Sequence, residues 1–244
     1  MNPAAPKVAI VIGAGDATGG AIARRFAREG FTAVVVRRTA AALEPLVAAI
    51  EAEGGRAVAM ATDARDEDAM VALFDRVEAE VGPVEVAVFN IGANVPSPLL
   101  AETARKYRKI WELTALAGFL TGREAARVMT PRGSGTIVFT GATASLRGGA
   151  GFAAFAGGKH ALRALAQSMA RELGPAGLHV AHVVVDGAID TAFIRDNFPD
   201  RYAAKASDDI LDPEHIADAY WFIHSQPRDA WTFELDLRPW TEKF

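Results

Sequence analysis

KVAIVIGAGDATGGAIARRFAR, residues Lys7 to Arg28, is the stretch that decides the fold. Its first part, Val8–Ile12, is an unbroken run of β-branched and apolar residues. Such a run is typical of a strand that is buried on both faces of a parallel sheet. Glycine, alanine and small polar residues follow at positions 13–20, and apolar residues then return at helical spacing. The stretch therefore predicts a strand, a glycine turn and a helix.

The glycine turn is suited to binding a phosphate group. The start of a helix presents unpaired backbone N–H groups and the positive end of the helix dipole, and small residues let a pyrophosphate approach closely. Glycine turns also join strands to helices that bind nothing, but this one lies in the first strand-to-helix unit of an alternating chain, where nucleotides bind. We therefore expect a nucleotide site that includes Gly13, Gly15, Asp16, Thr18 and Gly19.

The composition limits the classes of function. No apolar stretch reaches the roughly 18 residues that a transmembrane helix needs, and the N-terminal MNPAAPK has no apolar signal core. We expect a cytoplasmic protein with no membrane partner. The net charge of −4 argues against a general nucleic-acid binder, so the expected partner is a small-molecule substrate. Because cysteine is absent and His179 and His182 are spaced to point to opposite faces of one strand, we predict no metal site.

Strands and helices alternate along the rest of the chain. The hydrophobic pattern predicts strands at 8–12, 32–36, 56–62, 84–89, 136–140, 178–185 and 231–237. Besides the helix after the glycine turn, it predicts helices at 40–53, 67–81, 104–129, 152–173 and 213–224. Strict alternation implies an α/β protein with a single domain over residues 1–244, a Rossmann-type doubly wound parallel sheet of about seven strands with helices on both faces. The irregular stretch at 191–212 is predicted to be a lid or substrate loop.

The glycine turn resembles T-G-x-x-x-G-x-G, the cofactor loop of the short-chain dehydrogenase/reductase family. Gly13 and Gly19 match the outer glycines, whereas Ile12 replaces the threonine and Ala17 replaces the middle glycine. The turn is thus similar to the family's loop without reproducing it in full.

Three later turns resemble other cofactor contacts of the same family. These are ATDARD at 61–66, Asn90-Ile91-Gly92 in place of N-A-G, and DGAIDT at 186–191 in place of P-G-x-x-x-T. Strand ends favour Asp, Asn and Gly without any ligand, but here the matches span nearly the whole chain. The resemblance implies that the cofactor is contacted by Asp63, Ala64, Asn90, Gly92, Gly187, Ile189 and Thr191.

The choice of cofactor depends on the end of the second strand. There Arg37 and Arg38 stand where an NAD site usually places an acid on the ribose 2′-hydroxyl. Two arginines suit a 2′-phosphate instead, so we predict that NADP(H) is preferred and that NAD(H) is possible. Strand ends also carry solvated arginines, and Asp16 either sits near the same phosphate or pairs with one of the arginines.

The family's catalytic pattern is only partly present. The resemblance implies a Tyr-x-x-x-Lys pair on a helix, in which the ammonium lowers the pKa of the phenol and holds the ribose, and a serine that binds the substrate oxygen. Lys159 is in place, but Phe155 stands at the tyrosine position and Ala142 at the serine position. Thr143 and Ser145 lie near the serine position but out of register.

Three further positions bear on the chemistry. Thr114 takes the place of the asparagine that the family carries in the preceding helix. Asp186 replaces the proline of the sixth-strand turn, and is either a titratable group beside the nicotinamide or a residue that stabilises the turn. Tyr202, in the predicted lid, either reaches the active site or packs on the ligand. Lys159, Asp186 and Tyr202 are therefore the candidate catalytic residues.

Two functions are compatible with this resemblance. The first is an NAD(P)(H)-dependent oxidoreductase with altered proton-transfer residues and an unknown substrate. The second is a catalytically silent nucleotide-binding homologue that acts as a sensor or an inactive subunit. Hydride transfer needs mainly a positioned nicotinamide, which favours the enzyme. The family's assembly, together with apolar residues on the helices around the fifth strand, predicts a homodimer or homotetramer.

Overall fold

Seven parallel strands form one sheet in the computed structural model, which describes residues 6–243. The strands are β1 (Val8–Ile12), β2 (Thr32–Arg37), β3 (Arg56–Ala61), β4 (Val84–Phe89), β5 (Gly135–Thr140), β6 (Leu178–Val185) and β7 (Glu234–Leu237). Their order across the sheet is β3-β2-β1-β4-β5-β6-β7. Together with helices on both faces, this order confirms the predicted single-domain Rossmann-type fold.

The helices cover the sheet in two layers. They are α1 (Thr18–Arg28), α2 (Glu44–Ala52), α3 (Glu67–Glu80), α4 (Ala104–Trp111), α5 (Ala117–Met129), α6 (Ala153–Leu173), α7 (Ala192–Asn197), α8 (Pro199–Ala203) and α9 (Pro213–His224). Alternate side chains of β1 pack on opposite layers, with Ile10 against α3, α5 and α6 and Val11 against α1, α2 and α9. A strand buried on both faces must be apolar throughout, which is why its sequence is an unbroken apolar run. Within residues 6–243, no helix is both long enough and apolar enough to cross a membrane.

The strand order reverses between β1 and β4. The chain first adds β2 and β3 on one side of β1, and then continues with β4 to β7 on the other side. The loops that leave the carboxyl ends of β1 and β4 therefore diverge, and a crevice opens between them. A doubly wound sheet binds its ligands at this point.

The structure departs from the predicted elements most clearly at 191–212. The stretch is largely helical, since it contains α7, α8 and a 3₁₀ turn at Ala204–Ser207. The Thr191 hydroxyl accepts a hydrogen bond from the Ile194 N–H at 3.1 Å, and Pro199 opens α8, so short local signals start both helices. The expectation of irregular backbone was wrong here, and the lid role of the stretch stays a prediction.

Smaller differences concern the other elements. The predicted helix at 104–129 contains a π-helical turn at Glu112–Leu116, where the Thr114 hydroxyl donates to the Ile110 carbonyl oxygen at 2.8 Å. The predicted helix at 40–53 starts with a 3₁₀ turn, Ala40–Leu43. The last strand begins at Glu234 instead of position 231, and the Trp231 ring stacks on His179 with 4.8 Å between ring centroids.

Candidate active site

A cavity of about 640 Å³ opens at the carboxyl ends of the strands. Its walls are the glycine turn and the loops that follow β4, β5 and β6. The region around the start of α6 adds Phe152, Phe155 and Lys159 to the wall. The cavity thus lies where the reversal of strand order predicts a ligand site.

The glycine turn is held close to the end of β4. The side-chain amide of Asn90 donates to the Gly13 carbonyl oxygen at 3.2 Å. Gly13 has a φ of 88°, and a Cβ there would lie 2.9 Å from the Asn90 carbonyl carbon, so a side chain would be both strained and obstructed. No side chain caps the N-terminus of α1, whose first residue, Thr18, lines the cavity. Backbone N–H groups at this end of α1 are therefore available to an anionic ligand.

The two arginines at the end of β2 are both exposed. Arg37 Nη1 lies 3.9 Å from the point that a Cβ on Gly15 would occupy, which places its guanidinium beside the glycine turn. Asp16 is exposed and lines the cavity. Within residues 6–243, neither arginine forms an ion pair, so Asp16 does not neutralise them in this structure.

Asp63 and Ala64 follow β3 but lie outside the cavity wall. The Asp63 carboxylate accepts two hydrogen bonds from the Arg65 guanidinium, at 2.9 and 2.5 Å. These bonds lower the pKa of Asp63 to about 2, so the carboxylate is ionised throughout the physiological range. Ala64 is buried in the core. A contact of either residue with the cofactor stays a prediction.

Lys159 joins the ends of two strands from its position on α6. Its ammonium donates to the Thr140 carbonyl oxygen at 2.7 Å and to the Ile91 carbonyl oxygen at 3.4 Å. The residue is only 2% exposed, and burial lowers the pKa of the ammonium to about 8. One turn earlier, the centre of the Phe155 ring lies 5.8 Å from Lys159 Nζ. A cation and an apolar ring therefore share this wall of the cavity.

The loop after β5 carries three small side chains that differ in their exposure to the cavity and in their hydrogen bonds. Ala142 lines the cavity and its N–H donates to the Ser145 hydroxyl at 3.1 Å, while Ser145 itself is fully buried away from the cavity. Thr143 also lines the cavity, and its hydroxyl donates to the carboxylate of Asp186 at the end of β6. Asp186 is only 2% exposed and is not part of the cavity wall. The carboxylate therefore meets the cavity through the Thr143 hydroxyl.

The chain after β6 forms the opposite wall. Gly187, Ile189 and Thr191 all line the cavity, as does Gly92 in the loop after β4. The Thr191 hydroxyl is also the N-cap of α7. Tyr202 lies on α8 outside the cavity wall, with its ring 5.8 Å from Lys205 Nζ. Of the three candidate catalytic residues, the structure thus brings only Lys159 into direct contact with the cavity.

Comparison with known proteins identifies the family. The family model of the short chain dehydrogenases matches residues 7–201, which is most of the chain. The chain belongs to the short-chain dehydrogenase family. The resemblance of its glycine turn to that family is therefore confirmed, and the protein is a short-chain oxidoreductase. Among the similar solved structures, one is in complex with NADP and a 7 alpha-hydroxysteroid dehydrogenase is complexed with NADH.

Relatives of this short-chain dehydrogenase cover almost its full length. Cis-4-hydroxycyclohexanecarboxylate dehydrogenase of Sinomonas cyclohexanicum is 32% identical over 91% of this chain and 90% of its own. The crystal structure of a short-chain dehydrogenase from Rhodopseudomonas palustris is 49% identical, with a TM-score of 0.82 over 96% of this chain and 99% of that chain. A metagenomic short-chain oxidoreductase in complex with NADP is 26% identical, with a TM-score of 0.81 over 96% and 98% of the two chains.

Several residues at the cavity of this short-chain dehydrogenase were missed by sequence reasoning. Asn94, Arg147 and Phe152 line it, as do Gly148 and Gly149. The half-exposed Arg147 guanidinium lies 3.9 Å from the Asp186 carboxylate and donates to the Lys243 carbonyl oxygen at 3.2 Å. The only available signal was that these residues follow the carboxyl ends of β4 and β5, where ligands bind.

A buried polar cluster lies behind the cavity, on β6 and its neighbours. Nδ1 of His182 lies 3.0 Å from the Glu234 carboxylate, which also accepts two hydrogen bonds from the Arg163 guanidinium, at 2.6 and 2.8 Å. The His182 ring packs against Gly141, where a Cβ would come within 2.5 Å of it. Burial lowers the pKa of His182 to about 4, so the ring is neutral at pH 7. Among residues 6–243, no group of three His, Cys, Asp or Glu side chains is arranged to hold a metal ion.

Proposed function

We propose that this short-chain dehydrogenase is an NADP(H)-dependent oxidoreductase, with NAD(H) as a weaker alternative, in which proton transfer does not use the family's tyrosine and serine. The observation that carries the proposal is the cavity wall, where Lys159 is accompanied by Phe155 and Ala142. Neither a phenyl ring nor a methyl group exchanges a proton with a substrate oxygen. Another group must therefore do so.

The residues around the cavity fit a dinucleotide cofactor. The N–H groups of the glycine turn suit its diphosphate, and Lys159 suits a ribose diol. Arg37 and Arg38 suit a further phosphate on the adenosine ribose, because guanidinium groups are always charged and bind phosphate through paired N–H donors. When bound, the cofactor supplies or accepts the hydride, and the chain supplies binding and orientation.

Cofactor preference is the first expected outcome. A charge-assisted hydrogen bond contributes about 1.5–3 kcal/mol, so the unaltered protein should bind NADPH roughly tenfold or more tightly than NADH. Fluorescence titration with both cofactors measures the ratio. The Arg37→Ala/Arg38→Ala variant should lose the preference, whereas Arg56→Ala, an exposed arginine at the opposite end of the sheet, should keep it. Equal affinities, or tighter binding of NADH, in the unaltered protein would contradict the assignment.

The activity itself is tested with a small panel of substrates. The Sinomonas relative is named for cis-4-hydroxycyclohexanecarboxylate, so this alcohol, cyclohexanol and their ketones form a starting set. Purified protein is mixed with NADP⁺ and each alcohol, or with NADPH and each ketone, and the change in NADPH absorbance is recorded. Slow turnover that requires the protein supports an oxidoreductase. The absence of both dinucleotide binding and turnover would reject the proposed function.

We also propose that the chain assembles through α4 and α5. Trp111 on α4 and Phe119 on α5 are each 41% exposed, and Tyr107, one turn before Trp111, is 42% exposed. Exposed aromatic residues on consecutive helical segments are typical of an interface between subunits.

Light scattering tests this assembly. The unaltered protein should have a mass two or four times the 25.8 kDa of one chain. Trp111→Lys/Phe119→Lys should shift the mass down by a factor of two, because two buried cations at an interface are costly. Phe193→Lys, at a 63% exposed aromatic residue on α7, is the matched control and should leave the mass unchanged. A mass near that of one chain at micromolar concentration for the unaltered protein would count against assembly.

A further inference from the structure

We propose that Thr143 is a catalytic residue that accepts the hydroxyl proton of an alcohol substrate while its own proton passes to Asp186. This inference rests on the proposed function, since it names the group that exchanges the proton in that reaction. It also names the class of substrate that the resting site recognises, which is a secondary or primary alcohol.

The direction of the Thr143 hydrogen bond determines what the cavity offers a substrate. A threonine hydroxyl carries one proton and two lone pairs. Here the proton is donated to the Asp186 carboxylate, which has no proton to return while it is ionised. Thr143 lines the cavity, and its hydroxyl oxygen is left as an acceptor. An acceptor fits the O–H group of an alcohol and does not fit the oxygen of a ketone.

Three other polar groups in the cavity wall are engaged in structural hydrogen bonds. The Lys159 ammonium is held by two backbone carbonyl groups, the Asn90 amide by the Gly13 carbonyl, and the Thr191 hydroxyl by the first turn of α7. Thr143 differs from these three because its partner is a carboxylate, which is a stronger base than a backbone carbonyl oxygen.

The Thr143 hydroxyl links the Asp186 carboxylate to the cavity wall. One carboxylate oxygen accepts the Thr143 hydrogen bond, and the other faces the Arg147 guanidinium at 3.9 Å. The side chain is 2% exposed, so it does not meet a substrate directly. Arg147 is half-exposed and stays charged, so it does not carry the proton, which returns to solvent through Thr143 after the product leaves.

The proposed step oxidises the alcohol, and the oxidised nicotinamide cofactor is the electron acceptor. The carbinol C–H bond breaks and its electron pair leaves with the hydrogen as a hydride to the oxidised nicotinamide cofactor. The alcohol O–H bond breaks as its proton moves to Thr143 Oγ, and the Thr143 proton moves to Asp186. A carbonyl bond forms, the alcohol loses two electrons, the cofactor gains two, and one proton remains on Asp186. The reverse sequence reduces the same ketone.

Variants at position 143 separate a catalytic hydroxyl from a structural one. With NADP⁺ and the best alcohol of the panel, Thr143→Val should lower kcat about 100-fold, within the range that acid–base groups contribute, and leave the Kd of NADPH unchanged. Thr143→Ser keeps the hydroxyl and should retain kcat within a few-fold. Asp186→Asn should behave like Thr143→Val. Thr121→Val, a buried threonine on α5 whose hydroxyl bonds only the Ala117 carbonyl oxygen, is the control and should leave kcat unchanged.

A binding measurement decides the proposal without turnover. Calorimetry with cyclohexanol and cyclohexanone, with and without NADP⁺, should show tighter binding of the alcohol to the unaltered protein and to Thr143→Ser. Thr143→Val should lose this preference. An unchanged kcat in Thr143→Val, or an unaltered protein that binds the ketone as tightly as the alcohol, would overturn the assignment. If no dinucleotide binds, the proposed function fails, and the preference of the cofactor-free protein still tests Thr143.

Discussion

Introducing the family's tyrosine and serine, as Phe155→Tyr with Ala142→Ser, is expected to raise the reduction of simple ketones and aldehydes roughly 10³-fold. General acid catalysis contributes about 10²–10⁴-fold, and hydrogen bonds to the developing oxyanion add to it. Phe155 and Ala142 both line the cavity, and Phe155 precedes Lys159 by one helical turn. A phenol at position 155 would therefore lie beside the ammonium, which lowers its pKa.

Simple carbonyl compounds are the right substrates for this comparison. They lack the remaining parts of a native substrate whose binding would hold the reacting oxygen against Thr143, so their reduction by the unaltered protein should be slow. NADPH oxidation measures the rates. Phe152→Tyr places a phenol elsewhere in the same cavity and is the matched control, for which no increase is expected. If the unaltered protein already reduces these compounds at rates typical of the family, a donor already present in the chain suffices for simple substrates, and Asp186→Asn and Tyr202→Phe are the variants that identify it.

Acid should destabilise the protein by about 3 kcal/mol through His182 alone. Burial lowers the pKa of this histidine from 6.5 to about 4, so the folded protein excludes a proton that the unfolded chain binds. Above pH 6.5 the ring is neutral in both states and the full stability is present. As the pH falls from 6.5 to 4, the unfolded chain is protonated first, and the free energy of unfolding decreases by about 1.4 kcal/mol for each pH unit between these two pKa values.

Urea unfolding at pH 7 and pH 4 measures the effect of His182. The variant His182→Gln keeps a hydrogen-bond donor for Glu234 but has no ring that titrates. Between pH 7 and pH 4, its free energy of unfolding should therefore decrease by about 3 kcal/mol less than that of the unaltered protein. Other buried histidines titrate equally in both proteins and cancel in the difference. His215→Gln, at an exposed position on α9, is the matched control. If the free energy of unfolding decreases equally in His182→Gln and in the unaltered protein, His182 is not held neutral by the fold.

The sheet and the place of the glycine turn in the cavity wall were predictable because their signals are local. An apolar run such as Val8–Ile12 is long enough to identify a buried strand, and the alternation of strands and helices implies the parallel order. Gly13, Gly15 and Gly19 lie within one turn, so a few residues in sequence form one continuous part of the cavity wall. The presence of residues from the loops after β4 and β6 in the cavity wall followed from the order of the strands, since the strand ends meet at one edge of the sheet.

Only the tertiary structure decided the contacts between side chains that lie far apart in the chain. Thr143 and Asp186 are 43 positions apart, and their hydrogen bond exists because β5 and β6 are neighbours in the sheet. Neighbouring strands also explain why Lys159 reaches the carbonyl groups at the ends of β4 and β5, and why His182 is buried beside Glu234 of β7. Tyr202 was expected to reach the cavity from a loop. Local helix signals in 191–212 place it on α8 instead, outside the cavity wall. Sequence patterns indicate which residues are buried and which form turns, whereas the packing of distant elements determines the partner of each polar side chain.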